Sequence, residues 1–320
     1  MGNTKVLKHA RSFEELPILI AFLVLFVFLS IASPYFLEFK NIQNFLLQSV
    51  FVMLVGFGMM FELTIGGIDL SVGSVLGFSG AITGLCIAQG VSVPVSILAG
   101  LGMGAGLGFV NGLIITRFRI APFLVTFAMA SIARGILHLS TKNGAISGFG
   151  VGDFTYLAQG YALGLPIPVI IAIIVFAVLL FLFKFTSFGR YTVAIGSNKN
   201  ASFLSGVSCN RITVSVYALS GLLAALSGIL LASRLTQVQN DMGLNYELDA
   251  IAVAVIGGTS MAGGKGSIIG AIIGAVILGL ISNGLNLLSV NQFYRQIIVG
   301  AIIIGAVSLD KFTSLKAEKV

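Results

Sequence analysis

The residues that could bind a ligand or do chemistry are few, and most of them lie inside long apolar stretches. The polar or charged side chains in these stretches are Glu62, Asn111, Arg134, His138, Asn283 and Asn286. Asn283 and Asn286 are three residues apart, so on a helix they share a face and can hydrogen-bond a hydroxyl-rich ligand, or else a neighbouring helix. The sequence has no HExxH, no GxSxG and no acid pair at glycosidase-like spacing. It therefore predicts no catalytic residue and no metal site.

A glycine turn that carries an acidic residue lies at 64–74, where the sequence reads TIGGIDLSVGS. Gly66 and Gly67 permit a tight re-entrant turn, and Asp69 or Ser71 can cap the helix that follows. A carboxylate at membrane depth is costly and usually belongs to a transport pathway or to a pairing partner. Two interpretations therefore stand, a structural cap or a place of direct contact with a substrate. Under the second, the substrate pathway contains Asp69, Ser71, Asn111, Asn283 and Asn286.

A second glycine cluster at 256–267, IGGTSMAGGKGS, resembles the first. Both contain IGG and both run into a helix that opens with Gly-Ser, although the offsets from IGG to Gly-Ser are eight and ten residues. If the chain contains an internal repeat, Gly257 and Gly258 correspond to Gly66 and Gly67, and the two turns are its gating elements. The alternative is that both clusters are Gly-rich only for helix packing. The cluster is not a phosphate loop, because that motif needs Gly where Thr259 stands. No nucleotide site and no cofactor are predicted.

The composition identifies the class of protein. The chain has 320 residues, of which 9% are charged and 57% hydrophobic, and its mean hydropathy is +1.06. Soluble domains carry about 25% charged residues, and both disordered chains and nucleic-acid-binding proteins need a charge density that this chain lacks. We therefore predict an all-α polytopic membrane protein. Cys86 and Cys209 lie in an apolar stretch and a basic loop, which is a poor arrangement for a disulfide.

Ten membrane-spanning helices are predicted, with both termini on the cytoplasmic side. Thirteen of the eighteen Lys and Arg residues then lie in inner segments, four in outer segments, and Arg134 within a span. The first span is expected to be a retained anchor and not a cleaved signal. The ten spans lie near 16–33, 45–63, 71–89, 94–116, 122–140, 166–184, 213–233, 248–264, 267–288 and 293–309.

The segments outside the predicted spans are short, so residues 1–320 are expected to form a single transmembrane domain. Its cytoplasmic parts are an N-terminal tail over 1–15, a loop over 185–212 and a tail over 310–320. In the loop, Ala201 to Ser205 can form a short amphipathic helix ended by Gly206. Such a helix either lies on the membrane surface or presents an apolar patch for docking a soluble partner.

Several ordered motifs resemble the permease subunit of bacterial monosaccharide ABC importers, the ribose-permease-like family. The resemblance runs from about residue 40 to residue 310. The matching segments are GGIDLSVGS at 66–74, GRYTVAIGSN…LSGV within 189–207, SGLLAALSGILLASRL at 220–235, YELDAIAVAVIGGTSMAGGKGS at 246–267 and NGLNLL at 283–288.

This resemblance implies a fold of about ten helices, two permease subunits around a pore, and two separate cytoplasmic ATPases that hydrolyse ATP. The family's ATPase-coupling motif, GGNxxAAxLSGI, aligns with 196–207, where Ser197 and Ser202 replace the second Gly and the second Ala. Carried over residue by residue, the coupling element contains Asn198, Ala201, Leu204, Ser205 and Gly206.

The expected function is that of a non-enzymatic pore subunit that imports ribose or a related pentose or hexose. Its expected partners are the ABC ATPases, an extracytoplasmic sugar-binding protein, membrane lipid and a second permease copy, with no nucleic acid. The expected location is the bacterial cytoplasmic (inner) membrane, with several passes. The alternative is an ion-gradient-driven secondary transporter of a small polar solute, for which Glu62, Arg134 and His138 are the available ionisable groups.

Overall fold

The computed structural model describes residues 16–141, 144–150 and 152–317, and these form helices joined by short turns. The predicted N-terminal tail over 1–15 lies outside the described residues. The helices are α1 (Leu16–Ala32), α2 (Phe39–Thr64), α3 (Val72–Ala88), α4 (Val93–Phe118), α5 (Pro122–Thr141), α6 (Gly152–Gln159), α7 (Ile167–Phe185), α8 (Ser187–Ser197), α9 (Lys199–Leu204), α10 (Cys209–Leu235), α11 (Tyr246–Ile256), α12 (Ile268–Leu287) and α13 (Phe293–Ala317). The strands are β1 (Ala145–Ile146), β2 (Tyr161–Ala162), β3 (Leu165–Pro166) and β4 (Val238–Gln239).

Within the described residues, six helices are long and apolar enough to cross a membrane, namely α2, α4, α5, α7, α10 and α12. Helices α1 and α3 and the first half of α13 are apolar but shorter. The all-helical membrane class is therefore confirmed, while the count of ten spans and the side of each terminus stay predictions. One boundary needs correction: α11 ends at Ile256, not near Gly264, and a turn follows it. The predicted C-terminal tail also begins inside α13, which continues to Ala317.

Helices α2 and α10 form the centre of the molecule, since both are buried along much of their length. Helix α4 buries only one stripe, which contains Gly100, Gly104, Gly108 and Gly112 at helical spacing. A Cβ atom at Gly104 would collide with Ala225 of α10, and Gly221 of α10 faces the Gly104 backbone in return. The glycine stripe therefore brings two helix backbones into direct contact, as small residues do in membrane proteins.

Hydrogen bonds to backbone carbonyls join the helices at other points. The Ser227 hydroxyl of α10 donates to the Phe51 carbonyl of α2 at 2.7 Å. Arg134 of α5 donates to the carbonyls of Asn240 and Met242, at 3.2 and 2.7 Å, in the connection after α10. Arg134 therefore contacts that connection and does not pair with Glu62. In the same region β1 pairs antiparallel with β4, which joins the two connections on that side.

Candidate functional site

The first glycine turn ends α2 with a tight hydrogen-bonded motif. The Gly66 amide donates to the Leu63 carbonyl at 2.8 Å and the Gly67 amide donates to the Glu62 carbonyl at 2.8 Å. Gly66 adopts φ +78°, and this pair of bonds with a left-handed residue is a Schellman motif. The chain therefore stops α2 abruptly at Thr64 and reverses into α3.

Asp69, Ser71 and Asn111 form a buried hydrogen-bonded chain behind this turn. The Ser71 amide and hydroxyl both donate to Asp69 Oδ1, at 2.6 and 2.5 Å, and Asn111 Nδ2 donates to Ser71 Oγ at 3.0 Å. All three side chains are at most 1% exposed. Asp69 thus holds the start of α3, and Asn111 ties it to α4. The predicted side-chain cap is wrong, because within the described residues the N-cap residue Ser71 makes no side-chain cap hydrogen bond and Asp69 accepts from Ser71, which precedes the helix; contact of Asp69 with a substrate stays a prediction.

Other buried polar groups surround this chain: Glu62, which the sequence singled out, and Tyr217 and Ser220, which it did not. Glu62 lies next to Asp69 and Ser220, and the Tyr217 hydroxyl lies against Gly67. Both carboxylate oxygens of Glu62 and the hydroxyls of Tyr217 and Ser220 have no hydrogen-bond partner among the described residues. Tyr217 and Ser220 are three residues apart in an otherwise apolar part of α10, so they share one helix face. This spacing is the sequence signal that could have indicated a buried polar site there.

The second glycine turn repeats the motif of the first, shifted by one residue. The Gly258 amide donates to the Val255 carbonyl at 2.9 Å, the Thr259 amide donates to the Ala254 carbonyl at 3.0 Å, and Gly258 has φ +82°. The left-handed residue is therefore the second glycine of IGG here and the first in the earlier turn. Gly257 instead packs its backbone against that of Gly270 on α12.

The two glycine turns meet, and helix α8 packs on both of them. The Gly264 amide donates to the Thr64 carbonyl at 2.9 Å, and a Cβ at Gly263 would lie 3.2 Å from the Cα of Gly66. A Cβ at Gly196, near the end of α8, would collide with both the Thr64 carbonyl and the Gly264 amide. Three segments that are distant in sequence thus share one backbone-packed junction, the glycine junction, formed by 64–67, 196–197 and 263–266.

One residue, Asn198, separates this junction from α9, which is the short helix predicted within the loop over 185–212. The Asn198 side chain caps it by accepting from the Ala201 amide at 2.9 Å. Gly206 ends it with φ +83°. Phe203 is 70% exposed and Leu204 is 84% exposed, so the helix presents a bare apolar patch. Ser205, which follows the helix, donates its hydroxyl back to the Ala201 carbonyl at 2.9 Å.

The two asparagines of α12 have different surroundings. Asn283 is buried and pairs with Asn41 of α2, each amide donating to the other at 2.8 and 3.1 Å. Asn283 therefore joins two helices, in agreement with the helix-to-helix interpretation. Asn286 lies one turn further on and lines a cavity of about 270 Å³ between α2, α10, α11, α12 and α13. Of the five predicted pathway residues, Asn286 lines this cavity; Asp69, Ser71, Asn111 and Asn283 do not.

Comparison with known proteins gives one family over most of the chain. Residues 41–307 match the family model described as branched-chain amino acid transport system / permease component. That range includes both glycine turns, helix α9 and the cavity.

Individual relatives cover almost the whole chain. The ribose import permease protein of Bacillus subtilis (strain 168) is 43% identical over 289 residues, which is 90% of either chain. The ribose import permease protein of Escherichia coli (strain K12) is 41% identical over 295 residues, 91% of this chain and 92% of that one. The D-allose transport system permease protein of the same organism is 36% identical over 293 residues, 91% and 90% of the two chains. No solved structure matches the chain.

Proposed function

Because the chain belongs to the family of branched-chain amino acid transport system permease components, we propose that it is the pore-forming permease subunit of an ATP-driven monosaccharide importer. The observation that carries this proposal is the match, at 36–43% identity over nine-tenths of the chain, to proteins named as ribose and D-allose permeases. A sugar is also favoured over an amino acid by the chemistry of the chain, since a neutral ligand needs no charged site within the apolar spans.

The coupling step of this proposal rests on helix α9 and the glycine junction. The exposed Phe203 and Leu204 form a docking patch for a cytoplasmic ATPase. Gly196 lies only a few residues before α9, so a movement of α9 also moves Gly196. Gly196 contacts the carbonyl of Thr64 and the amide of Gly264 without an intervening side chain. Closure of the ATPases would therefore move the end of α2 and the turn before α12 together.

The remaining parts of the proposal follow from the same assignment. ATP hydrolysis belongs to a separate subunit, because the 256–267 cluster lacks the glycine of a phosphate loop. An extracytoplasmic binding protein delivers the sugar, and a second copy of the chain completes the pore in the inner membrane. Ten spans with both ends in the cytoplasm keep most of the basic residues inside.

Uptake by the assembled system tests the proposal. The chain is reconstituted in proteoliposomes with the ATPase and the binding protein encoded beside it, and uptake of labelled D-ribose, D-allose and L-arabinose is measured. We expect uptake of at least one sugar that requires internal ATP and the binding protein and that persists with an ionophore present. Uptake that needs no ATPase and collapses with the ionophore would establish the secondary-transporter alternative instead.

A further inference from the structure

The cavity that Asn286 lines has the polar character of a ligand site. It occupies about 270 Å³ where five helices converge, and most of its lining side chains are polar. Its charged and amide-bearing lining residues are Gln48, Arg234, Asp249, Asn286, Gln292 and Arg295. They come from α2, α10, α11, α12, α13 and the turn before α13, so the chain builds this polarity from segments far apart in sequence.

An ion pair lies in the wall of the cavity. Arg295 Nη2 donates to Asp249 Oδ2 at 2.7 Å, and this is the one salt bridge that the described residues form. Asp249 is 4% exposed, whereas about a quarter of the Arg295 side chain is exposed. Arg295 Nε is buried and has no hydrogen-bond partner among the described residues. A guanidinium group has five N–H donors in a fixed fork, so Arg295 keeps donors beyond the one used in the pair.

A buried ion pair is weak evidence for stability, because well-packed apolar residues often stabilise a protein as well or better. Charged groups in a membrane protein usually mark a pathway for a polar solute. Helix α12 lines the cavity with the small residues Ala275, Gly279 and Ser282, which follow one another at helical spacing towards Asn286. Gly279 packs against Ser49 of α2, which a Cβ atom at that position would meet. The ion pair in the wall, together with the unpartnered Arg295 Nε, is therefore the observation that points to a polar solute here.

We propose that this cavity is a binding site for one neutral polyhydroxylated ring, a monosaccharide, in which the Asp249–Arg295 pair and the Asn286 and Gln292 amides hydrogen-bond the hydroxyl groups. This inference rests on the proposed function and locates the sugar on the chain itself. Adjacent hydroxyls of a sugar can both donate and accept, which matches a wall containing a carboxylate acceptor, guanidinium donors and amides that do both. The volume falls slightly below the roughly 300 Å³ at which ligand pockets begin, so the cavity admits at most one small ring.

Uptake kinetics of single-residue variants give the first test. The change is Asn286→Ala, and its matched control is Gln296→Ala, an exposed position near Arg295 that does not line the cavity. In the reconstituted transporter we expect Asn286→Ala to raise KM for the imported sugar about threefold to tenfold with the maximal rate unchanged, and Gln296→Ala to leave both unchanged. Equal KM values for the wild type and Asn286→Ala would overturn the site while leaving the importer function standing.

Chemical protection gives an independent readout. Cys86 and Cys209 are replaced by Ser, and then Ser282→Cys is introduced in the cavity wall, with Ser147→Cys in the exposed β1–α6 connection as the control. In vesicles with the assembled transporter, 50 mM D-ribose should slow labelling at position 282 by a membrane-impermeant thiol reagent at least threefold, and should not slow labelling at 147. Absence of labelling at 282, labelling that ribose does not slow, or protection by inorganic phosphate in place of ribose would each contradict a neutral-sugar site. Failure of the wild type to import any of the three sugars would instead refute the proposed function.

Discussion

Replacement of Gly206 tests whether docking needs the backbone conformation that ends α9, because the change removes no side-chain contact. Gly206 ends α9 with φ +83°, and its amide donates to the Phe203 carbonyl at 3.0 Å while the Val207 amide donates to the Ser202 carbonyl at 3.1 Å. A Cβ atom added at Gly206 would meet nothing within 4 Å. A substitution therefore changes the backbone preference at the helix end and causes no collision.

The size of the effect follows from the backbone angle. An L-residue in the left-handed region costs about 1–2 kcal/mol. This lowers the population of the conformation in which residue 206 ends α9 by about fivefold to thirtyfold. Gly206→Val bears the full cost, whereas Gly206→Asn bears less of it, because Asn adopts left-handed conformations more readily. Gly206→Val should reduce co-purification of the ATPase and ATP-dependent uptake by at least fivefold, and Gly206→Asn should retain most of both.

The assay compares ATPase recovered with an affinity-tagged permease, sugar uptake, and the thermal stability of the permease in detergent. The thermal stability of both variants should stay close to that of the wild type, since Gly206 is exposed and a substitution there opens only the end of α9. Wild-type coupling in Gly206→Val would refute the argument that α9 must end in this conformation for docking. An equal loss in Gly206→Asn and Gly206→Val would show that the side chain at this position, and not the backbone angle, decides coupling.

Three further predictions concern packing and capping. Gly104→Val should lower stability by about 1–3 kcal/mol because it collides with α10, whereas Gly102→Val, which meets no atom within 4 Å, should leave the midpoint of thermal unfolding unchanged. Asn283→Ala should cost about 1–3 kcal/mol by leaving Asn41 Oδ1 without its donor, although Asn41 Nδ2 still donates to the Phe36 carbonyl, and should lower the unfolding midpoint without raising the KM for sugar; a raised KM would return Asn283 to the pathway. Asn198→Ala should weaken α9 by about 1 kcal/mol and reduce ATPase recovery severalfold, while Asn198→Asp, which can still cap, should not; equal recovery from both would exclude the cap as the cause.

The local features were predictable from the sequence because their signals are local. The apolar stretches predicted the helices, and Gly206 predicted the end of α9. The boundary of α11 was wrong because Leu248 to Gly264 has the apolar composition of a span, whereas Gly257 and Gly258 end the helix and form a turn. An end set by two glycines inside an apolar run is not visible from hydropathy alone.

The long-range contacts were not predictable, because they depend on how the helices pack. The bond from Gly264 to Thr64 joins residues two hundred positions apart; both lie in the glycine clusters that the sequence singled out, but nothing in the sequence indicated that the two clusters touch. The pair of Asp249 and Arg295 was also missed, since neither residue was among the polar side chains singled out within the apolar stretches. Their opposite signs at the outer ends of two predicted spans were the signal that could have indicated a pair.

The placement of the ionisable groups bears on the energy source. An ion-coupled transporter needs titratable groups along a shared path, but Arg134 donates to backbone carbonyls of Asn240 and Met242, away from Glu62. Across the residues that the structure describes, the one salt bridge, between Asp249 and Arg295, lies in the cavity wall and not beside Glu62. Arg134 and the Asp249–Arg295 pair therefore lie apart from the neighbouring carboxyl groups of Glu62 and Asp69. Under the proposed function the coupling energy comes instead from ATPases that dock on α9, which leads within a few residues into the glycine junction.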